Sequence, residues 1–287
     1  MIGAIIGDMV GSIYEFDNIN TKDFPFFQEE MEYTDDSILT IATADWLVSG
    51  GNVAEYYVKW GTAYCCPMGG YGNMFKKWLI RADRMNDYSP INSCGNGSAM
   101  RVSPVALAFD TEEEVLAKAK ESAECTHNHP GGIAGAQATA LCIFMARKGN
   151  TKEEIRKAIT EKFGYDLTHT MKHLQEVYSW DGMPGEEWNG ATCKGSVPQA
   201  IICALDATDF EDAIRNAISI GGDSDTIGCI TGAIAEQLYG IPDNIAKWAW
   251  SRLPEDFHDV QASFLTMCEH PDIREQHLFR EQHLFRE

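Results

Sequence analysis

Residues 221–239 read GGDSDTIGCITGAIAEQLY, a short polar glycine turn followed by a long apolar stretch. From Thr226 onward the apolar residues recur at helical spacing, which predicts a helix over residues 226–239. Alternating β-branched runs bounded by turns, the pattern of β-strands, are scarce in the rest of the chain. The helical spacing of this stretch is therefore not offset by strand patterns elsewhere in the chain. We predict an all-α fold.

Helical spacing extends over most of the remaining chain. Thr111 and Thr151 are each followed three residues later by glutamate, as at helix starts, and Gly149 and Gly164 stand where helices should end. Glu15 lies near the end of an N-terminal apolar helix. The further predicted helices cover residues 36–48, 53–63, 74–84, 112–123, 132–147, 152–163, 197–205, 210–219 and 244–251.

The composition is that of an acidic globular protein. Lysine and arginine number 23 against 43 aspartates and glutamates, so the 287 residues carry a net charge of −20. Such a charge argues against a protein that binds nucleic acid through cations on phosphate. Hydrophobic residues make up 44% of the chain, which is enough for a substantial core. We predict a single domain over residues 1–270, because no shift in composition marks a linker there.

The tail, residues 271–287, is set apart by a repeat, since EQHLFR occurs at 275–280 and again at 281–286. A perfect duplication beside non-repetitive sequence is more typical of a recent duplication or a sequencing artefact than of an active site. We therefore leave the tail out of the functional interpretation.

Targeting and redox signals favour a cytoplasmic protein. Asp8 interrupts the opening apolar stretch and the first basic residue is Lys22, so the N-terminus lacks the pattern of a secretory signal. The longest nearly apolar run, residues 133–146, is too short to cross a bilayer. Nine scattered cysteines, an odd number, favour reduced core thiols over a disulfide framework.

Two acidic segments carry the strongest chemical signal. Residues 33–37 (YTDDS) and 221–228 (GGDSDTIG) each place two carboxylates and a threonine hydroxyl at a predicted helix start. One interpretation is helix capping, since aspartate and threonine are preferred N-caps. The other is a metal site, because four carboxylates brought together would repel one another unless a divalent cation neutralised them. Hard oxygen ligands suit Mg²⁺, Mn²⁺ or Ca²⁺, and spacing alone does not choose between the two interpretations.

Two other chemistries fit the pattern poorly. Asp223 and Asp225 invite comparison with the haloacid-dehalogenase phosphatases, but Thr226 follows directly where that motif has an intervening residue, and glycines stand in place of a buried strand. A zinc site would have to use Cys65, Cys66, Cys94, Cys125 and His127, whose spacing matches no standard site.

Two further segments have both a functional and an ordinary interpretation. Residues 95–101 (GNGSAMR) enter a predicted helix near Ser98, where backbone N–H groups could hold a phosphate or simply form a turn. Residues 126–130 (THNHP) place two histidines before a proline, as in a metal site or in a polar loop. Glu15, taken alone, is most often a solvated surface residue.

In this order the segments resemble the ADP-ribosylglycohydrolase family, the relatives of dinitrogenase reductase-activating glycohydrolase. The resemblance covers about residues 3–240 and rests on GDMVGSIYE at 7–15, YTDDS at 33–37, GNGSAMRVSP at 95–104, TH at 126–127 and GGDSDTIGCITGAIA at 221–235. It implies a single-domain orthogonal bundle of helices with two divalent cations, Mg²⁺ or Mn²⁺. The implied activity is removal of ADP-ribose from modified side chains or small conjugates.

The resemblance also assigns roles to individual residues. It places Glu15 near the scissile ribose, and it shows one departure, since Cys94 stands where relatives often carry an aromatic residue that could stack on adenine. The implied metal ligands are Thr34, Asp35, Asp36, Asp223, Asp225 and Thr226. The implied substrate-binding residues are Gly69, Gly70, Tyr71, Gly72, Ser93, Gly95, Asn96, Gly97, Ser98 and His127, with the Tyr71 ring available for adenine.

Hydrolysis at a ribosyl C1 atom needs an oriented water and a base, and Glu15 and Asp35 are the two candidates for that base. The expected partner is an ADP-ribose-containing substrate such as an ADP-ribosylated protein, with no nucleic acid and no membrane. The acidic charge favours arginine-linked substrates, whose leaving group is cationic. Two alternatives stay open: an Mg²⁺-dependent phosphohydrolase that cuts the pyrophosphate and releases AMP, and a noncatalytic ADP-ribose-binding or structural protein.

Overall fold

The computed structural model describes residues 1–270, and within that range the chain forms helices and loops without a β-strand. The all-α prediction is therefore confirmed. The predicted tail segment lies outside the described residues. The helices are α1 (Ile2–Gly11), α2 (Asp35–Ser49), α3 (Val53–Ala63), α4 (Asn73–Met85), α5 (Gly97–Met100), α6 (Ser103–Ala108), α7 (Glu112–Glu124), α8 (Pro130–Arg147), α9 (Lys152–Phe163), α10 (Met171–Val177), α11 (Cys193–Leu205), α12 (Phe210–Ser219), α13 (Ser224–Tyr239), α14 (Asp243–Trp250) and α15 (Glu255–Glu269).

The predicted start and stop signals act as helix boundaries. Thr151 and Glu154 form a complete capping box at the start of α9. Thr111 caps α7 with its hydroxyl, but the glutamate three residues later bonds that hydroxyl rather than the backbone. Gly164 ends α9 with a φ of 70°, and Gly149, with a φ of 82°, follows the end of α8. These boundaries therefore coincide with local capping signals in the sequence.

Other boundaries differ from the prediction. The helix predicted from residue 197 begins at Cys193, where Thr192 provides the cap by accepting a hydrogen bond from the Gly195 N–H. α8 begins at Pro130, because His129 caps it through Nδ1. α6, α10 and α15 had no predicted counterpart, and α15 buries Phe257, Phe264 and other apolar side chains at intervals among many polar residues. Because α15 contains many polar residues, its helical spacing was not recognised in the sequence, although its apolar residues pack in the core.

The contact between α1 and α13 is made backbone against backbone. A Cβ atom on Gly7 would lie 1.9 Å from the carbonyl oxygen of Gly228, and one on Gly228 would lie 2.4 Å from that of Gly7. A Cβ atom on Gly11 would meet the first turn of α13, 2.4 Å from Ser224 O. Glycine at these positions lets the two axes approach closely, which brings the end of α1 beside the start of α13.

The cysteines and the apolar character of the helices can be compared with the composition of the chain. Cys142, Cys193, Cys203 and Cys229 are buried thiols outside any disulfide, as expected for reduced core residues. Between residues 1 and 270, no helix combines the length and apolar character needed to cross a membrane.

Candidate active site

The two acidic segments meet at one cavity. Asp35 and Asp36 form the first turn of α2, while Asp223 precedes α13 and Asp225 lies in its first turn. All four carboxylates line a cavity of about 610 Å³, a volume within the range of small-ligand sites. The convergence that spacing alone could not establish is therefore present.

Three carboxylates lie closest together. Oxygens of Glu15, Asp223 and Asp225 lie within 4.8 Å of one another, and they form the one group of this kind among His, Cys, Asp and Glu of residues 1–270. Glu15, expected beside the scissile ribose, thus lies within the carboxylate cluster itself. The cysteine-rich zinc grouping does not assemble within the described chain.

Helix capping accounts for only part of the acidic segments. Thr34 caps α2 by accepting a hydrogen bond from the Asp36 N–H. Asp223 precedes α13 but makes no side-chain cap bond within the described residues, and its Oδ2 accepts from Asn96 Nδ2 at 2.7 Å instead. Oδ2 of Asp36 is buried and has no hydrogen-bond partner among residues 1–270. A buried carboxylate oxygen without a donor is costly unless a cation satisfies it, so the donor set fits a divalent metal.

The pKa values of the clustered carboxyl groups also fit a divalent cation at this site. Burial, and then the charges of Asp225 and Asp8, raise the pKa of Glu15 to about 8. Burial and the Asp225 charge also hold the pKa values of Asp36 and Asp223 well above the usual aspartate range. Without a cation the cluster therefore retains protons at neutral pH, whereas a bound divalent ion would favour the ionised carboxylates.

Asp8 is a buried residue of this region to which sequence analysis assigned no role. Its carboxylate accepts from the Thr34 N–H at 2.9 Å, from the Thr34 hydroxyl at 2.6 Å, and from both the N–H and the hydroxyl of Ser37. Burial and the Asp225 charge raise the pKa of Asp8 to about 7. Asp8 thus joins α1 to the start of α2, and the available signal was a carboxylate inside an apolar stretch. Thr34, an implied metal ligand, uses its hydroxyl proton for this link.

Thr226, the sixth implied ligand, lines the cavity at the start of α13. Its N–H donates to Asp225 Oδ1 at 2.9 Å, and its hydroxyl lies 3.9 Å from the Met100 sulfur. This weak hydroxyl contact leaves the oxygen able to serve as a ligand.

The glycine loop before α4 lies against Glu15. Gly69 has a φ of 73°, and a Cβ atom there would lie 2.6 Å from Glu15 Oε2. Gly69, Gly70, Tyr71 and Gly72 all line the cavity, and their implied role in substrate binding stays a prediction. The Tyr71 ring, however, is buried against Phe75, and its hydroxyl donates to the Tyr64 carbonyl. The ring is thus packed by the protein itself, and its proposed place beside adenine stays a prediction.

The second glycine loop divides into two parts. Side chains or backbone of Ser93, Gly95, Asn96 and Gly97 line the cavity, and His127 lines it beside them. Ser98 does not, because its fully buried hydroxyl donates to the Gly132 carbonyl at 2.8 Å. The Ser98 side chain therefore links α5 to α8 and does not reach the cavity.

Two aromatic rings at the cavity were not singled out from the sequence. Phe16 is 75% exposed, and its ring lies nearly parallel to that of Trp180, with centroids 6.2 Å apart. The Trp180 indole N–H donates to the Glu15 carbonyl at 2.9 Å. The signal for Phe16 was an aromatic side chain directly after the glutamate, whereas Trp180 is distant in sequence and comes close only in the fold.

Comparison with known proteins shows the family. A family model described as ADP-ribosylglycohydrolase matches residues 1–275, nearly the whole chain. The chain belongs to the ADP-ribosylglycohydrolase family. It is accordingly an enzyme of the glycosidic-bond hydrolase class, as the motifs implied.

Several relatives extend the comparison. ADP-ribosylhydrolase ARH3 of Mus musculus is 27% identical, over 92% of this chain and 89% of the relative. ADP-ribosylarginine hydrolase Tri1 of Pseudomonas putida is 25% identical, over 88% of this chain and 74% of the relative. A solved structure titled an ADP-ribosylglycohydrolase-related protein complex aligns with a TM-score of 0.68 at 24% identity, covering 93% of this chain and 96% of that one. The structural match supports the ADP-ribosylglycohydrolase fold.

Proposed function

We propose that this ADP-ribosylglycohydrolase removes ADP-ribose from ADP-ribosylated side chains with the aid of two divalent cations, Mg²⁺ or Mn²⁺, and that arginine-linked ADP-ribose is its preferred substrate. The observation that carries the proposal is the convergence of the carboxylates of Glu15, Asp36, Asp223 and Asp225 at one cavity, with Asp36 Oδ2 lacking a donor among residues 1–270. Buried structural carboxylates are normally satisfied by hydrogen bonds, and Asp36 Oδ2 departs from that rule in the way that a metal ligand would.

The proposed ligands come from both helix starts. Asp36 and Asp225 are buried and face the same cavity, and Asp223 is held in place by the Asn96 side chain. Bound divalent cations would polarise ribose hydroxyls and lower the pKa of a coordinated water. The full proposed set is Thr34, Asp35, Asp36, Asp223, Asp225 and Thr226, with Glu15 close to it.

Glu15 is our proposed general base, with Asp35 as the other candidate. Glu15 is partly open to the cavity, and its carboxylate, ionised beside bound cations, could accept a proton from a water there. Its backbone carbonyl is fixed by Trp180, and Asn18 Nδ2 also donates to it at 3.1 Å. These contacts hold the segment that carries the carboxylate, which aids the positioning of a water beside ribose C1.

The preference for arginine rests on what surrounds Glu15. The exposed Phe16 ring and the Trp180 ring form an aromatic surface, and a planar guanidinium binds well to an aromatic face beside a carboxylate. The relative named ADP-ribosylarginine hydrolase acts, by its name, on this linkage. A neutral seryl or acetyl group would gain little from either feature.

The direct test is a panel of conjugates. Purified protein is incubated with ADP-ribosyl-arginine, ADP-ribosyl-serine and O-acetyl-ADP-ribose, with Mg²⁺ or with EDTA, and kcat/KM is measured for each. We expect turnover only with Mg²⁺ or Mn²⁺ and the highest kcat/KM for the arginine conjugate. Turnover that survives EDTA would refute metal dependence, and faster cleavage of the serine or acetyl conjugate would refute the arginine preference.

Replacing the exposed ring should affect the arginine conjugate selectively. For Phe16→Ala we expect kcat/KM on ADP-ribosyl-arginine to fall about 2- to 5-fold, because an exposed cation–π contact contributes about 0.5–1 kcal/mol. The serine conjugate should change by less than about 1.5-fold. Met74→Ala is the matched control, since Met74 is an exposed apolar residue of the same cavity without an aromatic face. An equal loss of kcat/KM on both conjugates would show that Phe16 does not contact the leaving group selectively.

Metal binding should also be visible in thermal stability. The pKa values of Asp8 and Glu15 are raised to about 7 and about 8, so folding favours their protonated forms. This contribution to stability is complete below about pH 4 and is lost as pH rises through 7 to 8. We therefore expect the EDTA-treated protein to lose melting temperature between pH 6 and pH 8.5.

Mg²⁺ should reverse that loss, because it binds the ionised carboxylates of the folded state. Melting curves at pH 6 and pH 8.5, with EDTA or with 10 mM Mg²⁺, should show the larger Mg²⁺-induced rise at pH 8.5. KCl at equal ionic strength serves as the control for screening. An equal rise at both pH values, or one that KCl reproduces, would contradict the assignment.

A further inference from the structure

One wall of the cavity contains His127, which lies in the loop between α7 and α8. The side chain is 5% exposed, and its Nε2 atom faces residues 95–97. A Cβ atom on Gly97 would lie 3.1 Å from Nε2, and one on Gly95 would lie 3.6 Å from it. Because both residues are glycines, this edge of the ring stays open to the cavity.

The other ring nitrogen is held by Thr126. Thr126 Oγ1 lies 2.7 Å from His127 Nδ1, and Arg101 Nη2 lies 2.9 Å from the same Oγ1. A guanidinium can only donate hydrogen bonds, so the Thr126 oxygen accepts from Arg101. The Thr126 hydroxyl is fully buried, so its own proton also needs a partner, and Nδ1 is the acceptor within hydrogen-bond distance; we therefore assign this proton to the bond with Nδ1. The Nδ1 atom is then an acceptor, which leaves the proton of a neutral ring on Nε2.

Arg101 is held beside Thr126 by burial and by contacts of its guanidinium. It is fully buried, its guanidinium lies 3.9 Å from the centre of the Tyr57 ring, and Nη2 also donates to the Ser122 carbonyl at 2.9 Å. Burial and the adjacent Arg101 charge hold the pKa of His127 well below its usual range. The ring is therefore neutral at pH 7 and carries a single proton.

We propose that Arg101 and Thr126 are positioning residues that fix His127 as the Nε2–H tautomer, so that it presents an N–H donor to an oxygen of ADP-ribose bound over residues 95–97. The identity of this ligand rests on the proposed function, whereas the tautomer follows from contacts within the chain. A fixed neutral donor is suited to a hydroxyl or phosphate oxygen and excludes a ligand that would itself need to donate at that point.

The tautomer can be read without a ligand. Protein labelled with ¹⁵N-histidine gives long-range ¹H–¹⁵N spectra in which protonated and unprotonated ring nitrogens are distinct, and His127→Asn identifies the signal of interest. His129 is an internal reference, because its Nδ1 accepts from the Gly131 N–H and its proton must also lie on Nε2. At pH 7 we expect His127 to show the same pattern as His129. Protonation of His127 on Nδ1 would overturn the proposal.

The positioning role is tested with two variants of Thr126. Thr126→Val keeps the shape but removes the hydroxyl, while Thr126→Ser keeps the hydroxyl. We expect Thr126→Val to weaken ADP-ribose binding about 5- to 10-fold by calorimetry and to shift the Nδ1 resonance, since Nδ1 loses its donor. Thr126→Ser should stay within about 2-fold of the original affinity and keep the original resonance.

The outcomes separate this inference from the proposed function. Unchanged affinity and resonance in Thr126→Val would refute the positioning role, and if that variant does not fold, the spectrum of the unmodified protein still decides the tautomer. Failure of the unmodified protein to bind ADP-ribose would refute the proposed function and the assigned ligand. The Nε2–H tautomer would still be decided by the ¹H–¹⁵N spectrum of the protein without ligand.

Discussion

Asp36→Ala and Asp225→Ala are each expected to lower metal-dependent kcat by about 10³-fold or more, while the proteins remain helical. Both carboxylates are buried at the cavity, and Asp36 Oδ2 has no donor among residues 1–270. Removing one ligand from a preorganised charged site removes stabilisation that acts in the transition state. The loss of kcat is measured as turnover at saturating Mg²⁺, and the retained helical structure is measured by circular dichroism.

Asp209→Ala is the matched control for these variants. Asp209 is an aspartate that caps α12 by accepting from the Asp212 N–H, and it does not line the cavity. Its removal should cost about 0.5–2 kcal/mol of stability and leave kcat unchanged. If Asp36→Ala or Asp225→Ala behaved like Asp209→Ala, with lower stability and near-normal turnover, capping would be the right interpretation and the metal site would be wrong.

Gly7→Ala is expected to have the largest effect on folding. A Cβ atom at Gly7 would lie 1.9 Å from the Gly228 carbonyl oxygen, which belongs to backbone and cannot rotate away. The gain in helix propensity, about 1 kcal/mol at most, is smaller than the cost of separating α1 from α13. We therefore expect destabilisation by about 2–4 kcal/mol, together with weaker Mg²⁺ binding because the helix starts move apart.

Gly61→Ala gives the comparison. Gly61 is also inside a helix, but its added Cβ atom would meet only the side chain of Leu79, at 3.0 Å. A flexible side chain can shift, so urea unfolding should show a change of about 1 kcal/mol or less. A Gly7→Ala protein as stable as Gly61→Ala would contradict the close backbone contact between α1 and α13.

Local signals in the sequence predicted much of the helical fold. The helices over residues 53–63, 152–163 and 210–219 have the predicted bounds, because caps and apolar spacing specify them locally. α15 escaped prediction because its buried residues are separated by many polar ones, and its place depends on Phe257 packing against Trp60 and Tyr33. Contacts between residues that are far apart in the chain cannot be predicted from a short segment of sequence.

The sequence supplied candidate residues for the site but not their arrangement in space. Residues 34–36 and 223–226 are far apart in the chain, and their meeting depends on the glycine contact between α1 and α13 and on the Asp8 link to α2. The family resemblance supplied the residue set, yet it could not show that the Ser98 hydroxyl turns toward Gly132. It also gave no sign that Phe16 and Trp180 lie beside Glu15, since their pairing exists only in three dimensions.

The most direct test of the central claim is the identity of the product released from ADP-ribosyl-arginine. Purified protein is freed of metal with EDTA and dialysed, then assayed by mass spectrometry before and after addition of Mg²⁺. Metal-dependent cleavage of the glycosidic bond predicts no product without Mg²⁺, and intact ADP-ribose and free arginine in equal amounts with it. Release of AMP would mean that the pyrophosphate is the scissile group, and no product at saturating Mg²⁺ or Mn²⁺ from any of the three conjugates would contradict the proposed activity.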